Sequence, residues 1–105
     1  MARHYANEWV FWGVIATTGI ASPILEEIGY RGLLLSQFRR VAPLPVAIAV
    51  QAMLFAYMHL DQYLLLSHFA FGVAAGILRV TAGALWPCVL FHCAWNCMSV
   101  WEARA

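Results

Sequence analysis

Long stretches without a charged residue are the feature that most restricts how this chain can fold. Its acidic and basic residues leave charge-free intervals at 9–25, 41–60, 62–78 and 80–101. Each interval is close to the roughly 20 residues that a helix needs to cross about 30 Å of hydrocarbon. With 64% hydrophobic and 10% charged residues, the chain is too apolar for a soluble globular domain. We therefore predict an all-α integral membrane bundle of about four transmembrane helices, forming a single membrane domain over residues 1–105.

The helix boundaries follow from proline, glycine and polar turns. Pro23 removes a backbone hydrogen bond, so we predict that the segment 17–23 interrupts the first helix. Gly72 and Gly76 form a GxxxG face that favours close packing of the third helix against a neighbour. The predicted helices run from near Trp9 to Arg39, from Pro45 to about His59, from the Asp61-Gln62 turn to the 81–83 turn, and from about Ala84 to Trp101.

Three charged side chains, Glu26, Glu27 and Arg31, lie within the otherwise apolar first helix. An ionised side chain at the centre of a membrane helix costs on the order of 3 kcal/mol or more, so the cluster indicates a function. Glu27 and Arg31 are four residues apart, with the glutamate first, which favours an intrahelical ion pair with a structural role. Glu26 points about 100° away from this pair, so it is free to face a cavity as a general base.

Further polar side chains occur at matching depths on the later helices. Counting about 1.5 Å per residue from one membrane face, Glu26 and His59 reach a similar depth. His92 and Asn96 reach that depth too, and their spacing of four residues puts an imidazole beside an amide donor. Phe55 precedes His59 by one turn, and we predict that the two rings pack together. Short loops make the helices antiparallel neighbours, so these side chains are predicted to face one interior cavity.

These residues form three spaced motifs on successive predicted helices. In chain order they are Glu26-Glu27-x-x-x-Arg31, Phe55-x-x-x-His59 and His92-x-x-x-Asn96. Together they resemble the signature of the CPBP intramembrane proteases, a family that includes the CAAX prenyl endopeptidases and the bacterial bacteriocin-processing and immunity proteins. The stretch 81–87 ahead of the last motif is also similar to the family. The resemblance extends over about residues 20–100, which we take as the catalytic core.

The resemblance implies an intramembrane endopeptidase that hydrolyses peptide bonds of membrane-associated substrates. Glu26 and His59 would activate a water molecule, and His92 with Asn96 would stabilise the oxyanion. Glu27, Arg31 and Phe55 would support the site. The implied partners are the lipid bilayer and a peptide or lipidated-protein substrate, such as a prenylated CAAX or leader peptide. The implied location is a bacterial plasma membrane.

A zinc ion is the alternative to a metal-free mechanism. Glu26, His59 and His92 offer a two-histidine, one-glutamate ligand set. However, the sequence contains no HExxH pair, and the asparagine of the last motif is a poor zinc ligand. We therefore favour hydrolysis by a glutamate-activated water with no required cofactor, and keep zinc as the alternative.

Two other functions are compatible with the same residues. A catalytically silent member would act as a membrane immunity or binding protein, and an ion or proton carrier would also place Glu, His and Arg inside the membrane. Members of the resembled family carry additional helices before the first motif, so the chain is expected to be a fragment, a minimal form or part of a homo-oligomer. No basic run or phosphate-binding glycine loop occurs, so nucleic-acid binding is not expected.

The remaining polar residues in the apolar runs are expected to be structural. His68 has no partner motif and is expected to be an incidental polar residue. Cys88, Cys93 and Cys97 lack a CxxC spacing, so we expect them to be small buried residues without a redox or metal role.

Overall fold

The computed structural model describes residues 7–104, in which all regular secondary structure is helical. This confirms the predicted all-α fold with four helices, and the observed ends lie within a few residues of the predicted ones. The helices are α1 (Glu8–Val41), α2 (Leu44–Met58), α3 (Leu65–Ala82) and α4 (Trp86–Arg104).

Helix α1 continues through the segment around Pro23 where an interruption was predicted. Two stretches of it, Ile15–Ala21 and Ile28–Leu34, are π-helical, and the segment Ser22–Glu27 between them is α-helical. The N–H of Ser22 donates to the carbonyl of Thr17, five residues earlier. The wider turn accommodates Pro23 without ending the helix, and such turns often occur at functional sites. The predicted break is therefore a change of helical pitch.

Two of the helices within residues 7–104 are both long and apolar enough to cross a membrane, namely α1 with 34 residues and α3 with 18. Helix α2 is apolar but has only 15 residues, which is short of the length that crosses the hydrocarbon core. Helix α4 has 19 residues and carries the polar side chains of the last motif. Of the four transmembrane helices predicted from the sequence, α1 and α3 therefore have both the length and the hydropathy of a membrane span.

Helices α2 and α3 pack closely through small residues, as the GxxxG pattern predicted. A Cβ atom added at Gly72 would lie 2.9 Å from the Cα of Ala52, and one added at Gly76 would lie 2.8 Å from Nε2 of Gln51. The side chain of Gln51 is fully buried, and its Nε2 donates to the carbonyl of Gly72 at 2.8 Å. The two glycines therefore let the helix axes approach and expose a carbonyl to a cross-helix hydrogen bond.

Helices α1 and α4 run alongside each other and bring the first and last motifs together. Near the start of α1, Glu8 pairs with Arg104 at the end of α4, and the guanidinium lies over the ring of Phe11. Further along α1, a Cβ atom at Gly19 would lie 2.6 Å from Sγ of Cys97. This close approach places α4 directly against the first π-helical stretch of α1.

Candidate active site

A cavity of about 420 Å³ lies between α1, the end of α2, the start of α3 and α4. Its volume is within the range of small-molecule and peptide sites in proteins. All four residues that were predicted to be catalytic line this cavity, which agrees with the shared depth deduced from the sequence. The lining residues are Thr18, Ser22, Glu26, Phe55, His59, Leu64, Ser67, His68, Phe71, His92, Trp95 and Asn96.

The adjacent carboxylates of α1 lie in opposite environments. The Glu26 side chain is 30% exposed and borders the cavity, whereas that of Glu27 is completely buried. The carboxylate of Glu27 accepts a hydrogen bond from Nη1 of Arg31 at 2.7 Å, and Arg31 is also completely buried. The predicted ion pair is therefore present, and Glu26 is the carboxylate that faces the cavity.

The buried carboxylate of Glu27 also holds the histidine of the last motif, a contact that the sequence analysis missed. Its Oε2 lies 2.8 Å from Nδ1 of His92, across a sequence separation of 65 residues. Because Arg31 stabilises the ionised carboxylate, Nδ1 of His92 must carry the hydrogen and donate it. On the other side of the ring, Nε2 lies 3.4 Å from Oε2 of Glu26. The imidazole of His92 thus bridges the two glutamates.

Phe55 packs at the centre of the site, as expected for a supporting residue. It is 1% exposed, and the Arg31 guanidinium lies 4.4 Å from its ring centroid. The ring of His59 contacts it edge to face at 4.5 Å, and His92 approaches it at 5.9 Å. Phe55 therefore separates the buried ion pair from the cavity while it touches both histidines.

His59 is fixed by its own backbone at the end of α2. Its Nδ1 lies 2.6 Å from the carbonyl oxygen of Phe55, which can only accept, so Nδ1 is the donor. This bond therefore occupies Nδ1 and not Nε2. The ring of His68 stacks on that of His59 at 4.1 Å, with 25° between the planes. His68 therefore has a ring partner that its sequence position did not indicate, because the 59–64 loop folds the start of α3 back over the end of α2.

Asn96 bonds to a backbone carbonyl of α1. Its Nδ2 donates to the carbonyl of Thr18 at 2.9 Å, and Sγ of Cys97 donates to the carbonyl of Gly19 at 3.5 Å. Pro23 has no N–H to offer to carbonyls four or five residues earlier, which are those of Gly19 and Thr18. An unsatisfied carbonyl is costly in a membrane, so α4 supplies the donors that Pro23 removes. This bond uses one N–H of the Asn96 amide, and Asn96 also lines the cavity.

The cysteines agree only partly with the expectation of small buried residues. Cys88 is buried, while Cys93 and Cys97 are half-buried against α1. All three thiols are free.

The zinc alternative requires three ligands that converge on one point. Among residues 7–104, no group of three His, Cys, Asp or Glu side chains is arranged to hold a metal ion. Glu26 and His92 are close to each other, whereas Nδ1 of His59 is occupied by its hydrogen bond to Phe55 and no close contact joins His59 to either of them within the described residues. The proposed ligand set therefore does not fit a three-ligand zinc site in this arrangement.

The chain is similar to a known protein family. The model of the protein family described as type II CAAX prenyl endopeptidase Rce1-like matches residues 7–98, which is most of the chain and includes all three motifs. No curated protein and no solved structure matches the chain.

Proposed function

Because this chain belongs to the Rce1-like family of type II CAAX prenyl endopeptidases, we propose that it hydrolyses peptide bonds of membrane-associated substrates at the cavity described above. The family match confirms the resemblance carried by the three motifs, and it places the chain in a family of membrane-embedded proteases. The observation that supports catalysis most directly is the contact between Glu26 and His92 at the cavity wall.

Glu26 is the proposed general base. Its partly exposed carboxylate takes a proton from a water molecule in the cavity, and the resulting hydroxide attacks the carbonyl carbon of the peptide bond. His59 accepts a hydrogen bond from the same water through Nε2, because its Nδ1–H is already bonded to Phe55. Once the tetrahedral intermediate has formed, Glu26 returns the proton to the leaving nitrogen and the C–N bond breaks.

His92 and Asn96 are the proposed donors to the oxyanion. Since Nδ1 of His92 donates to Glu27, the ring can donate to an oxyanion only through a protonated Nε2. The buried carboxylate of Glu27 stabilises that imidazolium form. Asn96 is held in place by Thr18 and contributes its second N–H. Preorganised donors of this kind are a large source of rate acceleration in a water-poor site.

The cavity also suits an apolar peptide segment. Leu64, Phe71 and Trp95 form an apolar wall beside the polar residues of the site. A peptide that carries a lipid group can keep that group in the bilayer while its backbone enters the cavity. A prenylated CAAX peptide or a membrane-anchored leader peptide is therefore the proposed substrate class.

None of the proposed steps requires a metal ion. Location in a bacterial plasma membrane and assembly into a homo-oligomer stay predictions.

Cleavage by purified protein in nanodiscs tests the proposal. The substrates are a fluorescence-quenched farnesylated CAAX peptide and a membrane-anchored leader-like peptide. Glu26→Gln keeps the shape of the side chain but removes the base, so we expect cleavage to fall to background. Glu102→Gln is the matched control, since Glu102 is an exposed glutamate at the end of α4, outside the cavity. Glu26→Gln protein that cleaves at the wild-type rate would exclude Glu26 as the base.

A further inference from the structure

The ring of His68 covers one face of the ring of His59 at the mouth of the cavity. His68 lies in the first turn of α3, which begins at Leu65. The two ring centroids are 4.1 Å apart and the ring planes differ by 25°, so the contact is a stack rather than an edge contact. Both rings line the cavity. His68 belongs to none of the three motifs, and the fold alone brings it to the cavity.

His59 needs such support because it lies at a helix end. Helix α2 finishes at Met58, and Leu60, immediately after His59, has a positive φ of 55° that turns the chain away. Within the part of the chain that the structure describes, the ring of His59 has one hydrogen bond, from Nδ1 to the carbonyl of Phe55. A single bond fixes one atom and still lets the ring pivot about it. The edge-to-face contact with Phe55 restrains one side, and the stack with His68 covers the other.

The ring of His68 is itself held by its own helix. Its Nδ1 donates to the carbonyl of Leu64 at 2.9 Å, as Nδ1 of His59 does to Phe55. Leu64 is tied to the loop, because its N–H donates to the carbonyl of Asp61 at 3.2 Å. The stack therefore joins two imidazoles that are each anchored to backbone. What His68 presents to His59 is a flat, fixed face and not a nitrogen atom.

We propose that His68 is a positioning residue for hydrolysis, which holds the ring of His59 in the orientation that leaves Nε2 directed at the attacking water. This inference rests on the proposed function, in which His59 orients that water. A flat ring is the required feature, so phenylalanine should replace His68 and an aliphatic side chain should not. Misplacement of a group at a reacting centre by about 1 Å can cost up to about 100-fold in rate.

The test compares His68→Phe with His68→Ala in steady-state cleavage. We expect His68→Ala to lower kcat by about 10-fold or more with KM nearly unchanged, because the substrate contacts remain while the water is misplaced. We expect His68→Phe to keep kcat within about threefold of wild type, since the stacked face is restored. Leu66→Ala is the matched control, because Leu66 lies in the same helical turn and is 80% exposed.

A second measurement does not depend on turnover. Nitrogen NMR of ¹⁵N-labelled histidine reports whether the Nδ1 and Nε2 shifts of His59 are those of one fixed tautomer or an average. We expect separate shifts in wild type and His68→Phe, and converging shifts in His68→Ala. If wild-type protein cleaves nothing while the shifts behave as expected, the proposed function fails and with it the role of His68 in hydrolysis, whereas the fixing of the His59 ring by His68 is retained.

Two results would overturn the inference. One is a His68→Ala protein with wild-type kcat and unchanged His59 shifts, which would make the stack irrelevant. The other is a His68→Phe protein as impaired as His68→Ala, which would show that a ring nitrogen is required. If His68→Ala does not fold, His68→Leu replaces it as the aliphatic variant, and the comparison with His68→Phe is unchanged.

Discussion

The two neighbouring glutamates should differ in how the same conservative change affects stability. Glu27→Gln removes the charge of a completely buried carboxylate that accepts from Arg31 at 2.7 Å and from His92 at 2.8 Å. Glu26→Gln alters a carboxylate that is 30% exposed and lies 3.4 Å from His92. We expect Glu27→Gln to reduce both stability and activity, and Glu26→Gln to reduce activity alone.

The magnitude follows from the burial of Arg31. Removing one partner of a buried ion pair costs about 3–5 kcal/mol, because an uncompensated charge remains. The guanidinium of Arg31 is 0% exposed, and within residues 7–104 its Nε and Nη2 have no hydrogen-bond partner. The amide oxygen of a glutamine keeps one acceptor, and the Phe55 ring still contacts the guanidinium. We therefore expect a loss near the lower end, about 3 kcal/mol, against less than about 1 kcal/mol for Glu26→Gln.

Unfolding in mixed detergent and SDS micelles, followed by tryptophan fluorescence, measures both values. The double variant Glu27→Gln/Arg31→Met should be more stable than Glu27→Gln alone, because it removes the stranded charge. It should remain inactive, since the amide that replaces Glu27 carries no negative charge to stabilise the proposed imidazolium form of His92. If Glu27→Gln destabilised the protein no more than Glu26→Gln does, the buried pair would not be the support of this site.

Three further outcomes are expected. Asn96→Ala should lower kcat by about 10²–10³ with little change in KM. It should also cost about 1 kcal/mol of stability, because the hydrogen bond to Thr18 is lost. An unchanged kcat in the cleavage assay would leave Asn96 with that structural bond alone. A strong chelator should leave cleavage unchanged, and elemental analysis should find no stoichiometric zinc. Activity that is lost with the chelator and recovered with added zinc would favour a metal mechanism. Gly76→Leu should destabilise the packing of α2 against α3 in the same unfolding assay, because even a Cβ atom there would lie 2.8 Å from Nε2 of Gln51. A Gly76→Leu protein as stable as wild type would contradict this packing.

The parts of the site that lie within one helix were predictable from the sequence. The spacing of Glu27 and Arg31 specifies an ion pair because residues four apart share a helix face. The sequence also predicted that Glu26, His59 and the last motif lie at one depth. That prediction used the rise per residue of a helix and the short loops that make neighbouring helices antiparallel. Such predictions need only the local geometry of a helix and the direction of its neighbours, and they held even where α1 changes to π-helical turns.

The contacts between helices were not predictable in the same way. The bond from His92 to Glu27 depends on the rotation of α4 against α1, which no spacing within one helix specifies. The stack of His68 on His59 depends on the path of the 59–64 loop. Pro23 did carry a usable signal, because a proline in a membrane helix requires donors from elsewhere. The half-buried Asn96 and Cys97 on a neighbouring helix are the donors that this reasoning could have sought.

The proposed mechanism gives a reason for the two glutamates and one arginine of the first motif. A net charge is costly in a low-dielectric membrane interior, so a site of this kind should be neutral at every step. In the proposed mechanism His92 is protonated, so that Arg31 and His92 together balance the two ionised carboxylates. When Glu26 takes the proton of water in that mechanism, its lost negative charge reappears on the oxyanion beside His92. Glu27, which is held by Arg31, would keep its charge and stabilise the imidazolium while Glu26 gains and loses the proton.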